Sequence, residues 1–187
     1  MLILSSSGTG AMQAAVFNLF NKGEKVVVIQ GGKFGKRWLE IAKTKGLDVI
    51  ELEVPWGNSL DIERLKELIK KNKDIKGILV QASETSTGVL HPIKDIGNLV
   101  RDNDILLIVD GISAVGISPL PMDKWHIDCL ITGSQKGLMV PPGLALISLS
   151  NRAWEKAREV KREDFYFYLI GEREKIKKWT NPVHIAC

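Results

Sequence analysis

Residues 26–52 read VVVIQGGKFGKRWLEIAKTKGLDVIEL, with a helical pattern between two apolar runs. Val26–Ile29 and Val49–Leu52 are short, nearly continuous and rich in β-branched residues, as is typical of strands that are covered on both faces. Between them, apolar side chains recur at helical spacing and predict a helix over Phe34–Lys45. Because two parallel strands need a crossover connection, this order predicts a parallel strand–helix–strand unit.

The same alternation continues on both sides of this unit. Further apolar runs are Leu2–Leu4, Gly77–Val80, Ile105–Val109, Cys129–Ile131 and Leu144–Leu149. Further helical patterns are Thr9–Asn21, Asp61–Lys71, Ile96–Val100 and Arg152–Lys161. Asp61 can cap the first turn of the second of these helices. Strands that alternate with helices predict an α/β fold, with three layers (α/β/α) around a mostly parallel sheet of about seven strands.

The composition is that of a globular chain with one substantial core. Of the 187 residues, 44% are hydrophobic and 26% are charged, which excludes intrinsic disorder and fibrous structure. After residue 160 the alternation weakens into an aromatic patch and a charged run. We therefore predict one domain over residues 1–160, followed over residues 161–187 by a linker and the start of a further unit.

Charge, cysteine usage and hydropathy narrow the partners and the compartment. Lys and Arg number 26 against 22 Asp and Glu, but residues 1–150 hold 17 against 16, so the excess lies near the C-terminus. The body lacks a dense basic patch with interleaved aromatics, so we expect no nucleic-acid partner, with polyanion binding by the tail as the less favoured alternative. Cys129 and Cys187 show no metal-ligand, redox or disulfide spacing, which fits a reducing cytoplasm. Since no apolar stretch approaches the roughly 18 residues of a membrane span, we expect a cytoplasmic protein without a membrane partner.

Polar segments rich in small residues follow several apolar runs, at the strand ends where an open parallel sheet collects its ligands. These segments are Ser5–Gly10, Gln30–Trp38, Gln81–Gly88, Asp110–Ser113 and Thr132–Gly137. The first leads into a helix, where backbone N–H groups and hydroxyls can hold an anion. Taken one at a time, three of these segments have ordinary explanations. Ser5–Gly10 can be a turn with a helix cap, Phe34 a core contact and Gln81–Gly88 a polar loop.

Two residues in these segments are harder to explain as loop residues. Asp110 ends a buried run, where a carboxylate is costly unless it pairs with a cation, a metal ion or a protonated ligand nitrogen; the alternative is that it caps the next turn. Lys136 follows a core strand, where we expect desolvation to lower its pKa and make the amine nucleophilic; the alternative is that it is an ordinary solvated lysine. A phosphate cradle, a stacking aromatic, a carboxylate for a ring nitrogen and a lysine for an imine together suit pyridoxal 5′-phosphate.

With this set assembled, the sequence resembles the class V aminotransferases of the fold-type-I pyridoxal-phosphate enzymes, particularly the alanine–glyoxylate or serine–pyruvate branch. The resemblance covers nearly the whole chain up to about residue 150 and rests on motifs in the family's order. They are Ser7–Met12 (SGTGAM), Gly32–Arg37 (GKFGKR), Glu84–Leu90 (ETSTGVL), Val109–Ser113 (VDGIS) and Gly133–Gly137 (GSQKG). Nucleotide binding is a weak alternative, because no lysine of the P-loop type follows the first glycines.

The resemblance implies a role for each matching residue. The implied contacts are Ser7, Gly8, Thr9 and Gln135 with the cofactor phosphate, Phe34 with the ring face, Thr85 near the ring hydroxyl, Asp110 with the pyridine nitrogen, and Lys136 in a Schiff base. Thr180 would contact the phosphate of the neighbouring subunit's cofactor, which implies a homodimer. Lys177 departs from the family pattern, since a tyrosine of the same cradle often stands there.

The implied activity is transamination between a small amino acid of the alanine, serine or aspartate type and an oxo acid such as glyoxylate or pyruvate. Asp110 would keep the pyridine nitrogen protonated, and Lys136 would be the catalytic residue that moves the substrate Cα proton. The chain matches the family's large, cofactor-binding domain, without the segment that usually precedes the first strand and without the small domain that supplies a carboxylate-binding arginine.

Two other functions remain open at this point. One is a truncated remnant that binds the cofactor or forms a dimer but is catalytically impaired. The other is a cysteine desulfurase, a related enzyme that typically has histidine before the lysine, where this chain has Gln135. Neither Cys129, inside an apolar run, nor the terminal Cys187 suits the reactive cysteine of such an enzyme.

Overall fold

A computed structural model describes residues 1–179, which contain nine strands and six helices. The strands are β1 (Leu2–Ser5), β2 (Lys25–Gln30), β3 (Asp48–Glu53), β4 (Ile75–Gln81), β5 (Ser83–Glu84), β6 (Val89–Leu90), β7 (Leu106–Asp110), β8 (Cys129–Gly133) and β9 (Leu144–Leu149). The helices are α1 (Gly8–Leu19), α2 (Lys33–Lys45), α3 (Ile62–Lys71), α4 (Ile93–Val100), α5 (Asn151–Glu159) and α6 (Leu169–Trp179).

Seven of the strands form one sheet in the order β1-β9-β8-β7-β4-β2-β3. The neighbours from β8 to β3 pair in parallel, whereas β9 pairs antiparallel with both β8 and β1. β9 reverses direction because residues 134–143 connect it to β8 directly, without a crossover helix. The prediction of an α/β fold with a mostly parallel sheet of about seven strands is confirmed.

Helices cover both faces of this sheet, and each face has its own core. Successive strand residues point to opposite faces, so Val28 packs into a core with Trp38 of α2, whereas Val27 packs into a core with Leu65 of α3. Residues of α1, α2, α5 and α6 belong to the first core, and residues of α3 and α4 belong to the second. The result is the predicted three-layer arrangement.

The sequence patterns did not indicate the hairpin β5–β6 or the helix α6. Each hairpin strand has only two residues, too few for a periodic pattern. α6 begins at the fully buried Leu169 and continues through charged residues. The Asn18 side chain of α1 donates to the Phe167 carbonyl oxygen at 2.7 Å and accepts from the Leu169 amide at 3.0 Å. Such long-range bonds leave no local signal in the sequence. The predicted boundary at residue 160, between the domain and the linker, stays a prediction.

The start of α3 follows the sequence closely. The Asp61 side chain accepts a hydrogen bond from the Glu63 amide at 3.0 Å, which confirms its predicted capping role. Within residues 1–179, no helix combines the length and the apolar character needed to span a membrane.

Candidate active site

Six strands run in one direction and end at the same edge of the sheet: β3 and the five strands β1, β2, β4, β7 and β8. The five polar segments predicted from the sequence follow these strands and therefore share this edge. Hydrogen bonds continue the strand pairing past the ends: the Ala82 amide donates to the Asp110 carbonyl oxygen, and the Gly111 amide donates to the Ile131 carbonyl oxygen, both at 2.8 Å. We call this set of segments the carboxyl edge.

The start of α1 offers an anion site at the carboxyl edge. Ser7 is the N-cap residue, its hydroxyl makes no capping hydrogen bond, and the first turn contains no acidic residue. A Cβ atom at Gly8 would overlap the Ile112 side chain, so glycine allows α1 to approach the turn that follows β7. Free N–H groups and the positive end of the helix dipole suit a phosphate group here.

Arg37 connects the start of α1 with the start of α2. Its Nη1 atom donates to Thr9 Oγ1 at 2.9 Å, and its guanidinium carbon lies 4.9 Å from the centroid of the Phe34 ring. The Phe34 ring is half-buried. Arg37 belongs to the Gly32–Arg37 motif, in which the resemblance implies a role only for Phe34. These contacts make Arg37 a fixed positive charge beside the predicted phosphate site.

Asp110 is the last residue of β7, and its side chain is only 5% exposed. Oδ1 accepts from the Ile112 amide at 2.8 Å, so the carboxylate does cap the following turn. In residues 1–179, no ion pair involves Asp110. Burial raises the pKa of the Asp110 carboxyl to about 6; the Ile112 hydrogen bond opposes this rise, the Glu84 carboxylate adds to it and Arg37 opposes it. A protonated ligand nitrogen beside Asp110 would stabilise its ionised form.

Glu84, at the end of β5, is fully buried and surrounded by donors. Its Oε2 atom accepts from the Phe34 and Gly35 amides, both at 3.1 Å, and from Gln81 Nε2 at 3.0 Å. Its Oε1 atom accepts from the Ser86 amide at 3.2 Å and from the Ser86 hydroxyl at 2.5 Å. Glu84 therefore ties the first turn of α2, which carries Phe34, to the hairpin.

Thr85 follows Glu84, and its hydroxyl oxygen lies 2.6 Å from that of Ser113. This hydrogen bond joins the hairpin to the turn after Asp110. Ser113 ends the Val109–Ser113 motif, and the resemblance implies no role for it. Its hydroxyl fixes the position of Thr85, the residue predicted to contact the ring hydroxyl.

Lys136 and Gln135 lie in the loop after β8, and both are exposed. The expected desolvation of Lys136 is therefore wrong for the part of the chain that the structure describes, because its loop lies on the surface. The loop contacts the segment that follows Asp110: a Cβ atom at Gly116 would lie 2.9 Å from the Gly137 carbonyl oxygen. Lys136 thus shares the carboxyl edge with Asp110. Thr180, the predicted cross-subunit contact, lies outside the described residues.

A charged cleft of about 430 Å³ lies at the opposite edge of the sheet. The three basic side chains that line this cleft already have partners. Lys156 lies 2.6 Å from Glu24 and Lys76 lies 2.6 Å from Asp104. Arg152 donates to the Ile105 carbonyl oxygen at 2.7 Å. Among the described residues, none of those predicted to bind the cofactor lines this cleft. The carboxyl edge therefore remains the candidate active site.

Comparison with known proteins agrees with the fold and the motifs. The family model for class V aminotransferases matches residues 1–176. The chain belongs to the class V aminotransferase family. An uncharacterized aminotransferase of Methanocaldococcus jannaschii is 43% identical over 192 residues, which cover 98% of this chain and 49% of that protein. The L-aspartate–glyoxylate aminotransferase of Paracoccus denitrificans is 34% identical over 89% of this chain and 43% of its own length.

A solved class V structure supports the same assignment. The alanine–glyoxylate aminotransferase of Nostoc sp. superposes with a TM-score of 0.87 at 30% identity, over 97% of this chain and 48% of its own chain. This class V chain thus spans about half the length of the relatives that it matches.

Within this class V aminotransferase chain, the structure also bears on the desulfurase alternative. The Cys129 side chain is fully buried in the first core, and burial raises the pKa of its thiol far above the ordinary value. A protonated, inaccessible thiol is a poor nucleophile. Cys129 is therefore a core residue, and Cys187 lies outside the described residues.

Proposed function

We propose that this chain binds pyridoxal 5′-phosphate at the carboxyl edge and serves transamination between a small amino acid, of the alanine, serine or aspartate type, and an oxo acid such as glyoxylate or pyruvate. One observation carries the proposal: Asp110 is buried, with no ion pair to any residue in the described range 1–179, on the sheet edge that also holds the start of α1 and Lys136. The names of the glyoxylate aminotransferases among its relatives support the choice of substrates.

The residues present fit the cofactor. The start of α1 suits the phosphate dianion, because it has an uncommitted Ser7 hydroxyl, no acidic side chain in its first turn and Arg37 beside Thr9. The half-buried Phe34 ring suits stacking on a pyridine ring. Asp110 suits a protonated ring nitrogen, since a cation would offset the cost of its burial.

The chemistry assigns different tasks to Asp110 and Lys136. When bound, the cofactor would supply an electron-accepting ring that stabilises negative charge at the substrate Cα. Asp110 would keep the ring nitrogen protonated, and its attraction for that proton is strong because water is excluded around the carboxylate. The Lys136 amine would first take the Cα proton as a general base and would then, as a general acid, deliver a proton to the C4′ carbon of the cofactor. Thr85, held by Ser113, would orient the ring through its hydroxyl.

Cofactor titration tests this proposal directly. We expect the purified chain to give the absorbance of lysine-bound pyridoxal phosphate, and reduction with borohydride followed by peptide mapping to mark Lys136. Lys136→Ala should abolish the absorbance, whereas Lys124→Ala, at an exposed lysine outside the carboxyl-edge segments, should leave it unchanged. Absence of the absorbance in the native chain, or its persistence in Lys136→Ala, would contradict the proposal.

A second candidate is cofactor binding without turnover. It is compatible with the coverage, since the chain matches about half the length of its relatives. Half-transamination with alanine, serine or aspartate separates the two candidates: conversion of the bound cofactor to its amino form by this chain supports the transaminase, and binding without conversion supports the second candidate.

We further propose a homodimer in which Thr180 contacts the phosphate of the partner's cofactor. Light scattering on the purified chain measures the assembly. A dimer whose cofactor affinity falls in Thr180→Ala is the expected result, and a monomer at all concentrations would overturn it.

A further inference from the structure

Glu84 is a buried carboxylate to which the family resemblance assigns no task. Its side chain is 0% exposed, and its hydrogen-bond donors in residues 1–179 are uncharged: three backbone amides, one carboxamide and one hydroxyl. A buried carboxylate is unfavourable unless such donors satisfy it. What Glu84 does is therefore defined by the groups that these donors belong to.

The first of these groups is the start of α2. The Phe34 and Gly35 amides belong to the first helical turn, where backbone N–H groups lack acceptors within the helix. Both donate to Glu84 Oε2 at 3.1 Å, across about 50 residues of sequence. Gly32 allows the approach, because a Cβ atom there would lie 2.5 Å from Glu84 Cδ. Glu84 thus caps α2 and fixes the backbone of Phe34.

The hairpin in turn fixes Glu84. The Thr87 and Gly88 amides donate to the Glu84 carbonyl oxygen at 3.0 and 2.8 Å. Gly88 has φ +75, in the left-handed region that glycine adopts without strain, so the turn closes at this residue. Gln81, the last residue of β4, holds the carboxylate from the sheet side at 3.0 Å. The carboxylate position is therefore set by elements other than the one that it caps.

Glu84 also acts on charged groups around it. Gln81, which donates to Glu84, is the register partner of Asp110 where β4 pairs with β7, so Glu84 is held beside the end of β7. Burial raises the pKa of Asp110, the negative charge of Glu84 adds to this rise, and Arg37 opposes it. The charge of Glu84 also opposes the effect of burial, which lowers the pKa of His91. One carboxylate thus acts on both the aromatic and the acidic contact predicted for the cofactor ring.

We propose that Glu84 is a positioning residue of the cofactor site: it fixes the Phe34 backbone, and so the ring that would stack on the cofactor, and it adds negative potential at Asp110. The proposal rests on the proposed binding of pyridoxal phosphate. Its two effects, on the Phe34 backbone and on the potential at Asp110, concern this chain alone. Both can therefore be measured without the cofactor.

Three variants separate the two effects. Glu84→Gln keeps one oxygen for the Phe34 and Gly35 amides but removes the charge, whereas Glu84→Ala removes both. Thr87→Ala is the matched control, because the Thr87 hydroxyl in the same hairpin bonds to the Glu84 carbonyl oxygen, so the substitution leaves every bond to the carboxylate in place. The measurements on cofactor-free protein are hydrogen exchange at Phe34 and Gly35 and the NMR titration of the Asp110 carboxyl. On loaded protein they are the cofactor dissociation constant and the circular dichroism of the bound cofactor.

We expect Glu84→Ala to lose amide protection and cofactor affinity by about tenfold or more, and to change the circular dichroism of the bound cofactor. Glu84→Gln should keep most of the protection but move the Asp110 titration to lower pH, an effect that a purely structural residue would not produce. Thr87→Ala should change neither the amide protection nor the Asp110 titration. Unchanged titration in Glu84→Gln, or protection in Glu84→Ala equal to that in the control, would overturn the proposal. If Glu84→Ala does not fold, the titration of Glu84→Gln decides. Failure of the native chain to bind the cofactor would overturn the proposed function and the cofactor role of Glu84, while the cofactor-free results would still report on Phe34 and Asp110.

Discussion

Among single residues, Asp110 shows how burial raises the pKa of a carboxyl and makes the stability of the fold depend on pH. Its folded pKa of about 6 lies above the ordinary 3.8, so the folded state binds the proton more tightly than the unfolded chain does. Stability therefore falls as the pH rises from about 4 to about 6 and remains lowered above that range. About two pKa units at about 1.4 kcal/mol each correspond to a loss of about 3 kcal/mol.

We expect Asp110→Asn to remove this loss in the cofactor-free protein. An uncharged asparagine has nothing to ionise, so the variant should gain about 3 kcal/mol relative to the native chain between pH 4 and pH 7. Urea unfolding of both proteins at a series of pH values measures the difference. A constant difference across this range would show that Asp110 does not titrate there.

Cofactor binding should make the ionised carboxylate of Asp110, rather than an uncharged side chain, the more stable form at this position. A protonated ring nitrogen beside Asp110 would favour the carboxylate, whereas Asp110→Asn would gain little from the same ligand. The residue that weakens the free chain at neutral pH is thus the one expected to strengthen the bound chain.

Some residues of the candidate site stand out in the sequence, and others are identified only by their contacts in the folded chain. Asp110 is visible in the sequence because a carboxylate directly after an apolar run is unusual, and Lys136 because it lies in the Ser/Gly-rich segment that follows the next run. Glu84, Arg37 and Ser113 stand among other polar residues, so nothing local marks them. Their contacts with Phe34, Thr9 and Thr85 form only when the strands align.

At the element scale, the bounds of the helices follow the sequence where capping and periodicity agree. Asp61 caps the N-terminus of α3, and Gly46 caps the C-terminus of α2. Gly46 has φ +78, in the left-handed region typical of a helix C-terminus. α6 differs, because its position depends on Asn18 of α1 and on the burial of Leu169. A run of charges does not reveal such an anchor.

We expect Asn18→Ala to loosen α6. The substitution removes the acceptor of the Leu169 amide and the donor to the Phe167 carbonyl oxygen, and unsatisfied buried groups of this kind cost about 1–3 kcal/mol. Hydrogen exchange should quicken at Leu169 and through α6. Asn72→Ala is a matched control, since Asn72 makes a similar bond within its own segment, to Leu68. Equal effects of the two substitutions on α6 would contradict the anchoring role.

At the scale of the whole molecule, the sheet joins two cores, and the carboxyl edge draws on elements that pack into both. α1 and α2 belong to the first core, while Leu107 and Val109 of β7 belong to the second. A ligand held by the start of α1 and by the end of β7 would therefore stabilise both halves of the fold together.

Pyridoxal phosphate should raise the unfolding temperature accordingly. A ligand that binds only the folded state contributes about 2.7 kcal/mol at 100 times its dissociation constant. For a chain of 187 residues this corresponds to a rise of about 5–10 °C. Differential scanning calorimetry measures the shift, with pyridoxal at the same concentration as the control because it lacks the phosphate for the start of α1. Equal shifts with the two compounds would argue against a phosphate site at that helix.

The sequence by itself determined the class of fold and the residue types of the candidate site, because strand and helix periodicities are local and because charges after buried runs stand out. It also supplied the family's motifs in order, and the comparisons bear that assignment out over residues 1–176. Only the tertiary structure decided the reversed direction of β9, the docking of α6, the exposure of Lys136 and the contacts of Glu84. The physical reason is that each of these depends on groups far apart in the chain, whose contacts exist only once the sheet has brought them to the same place.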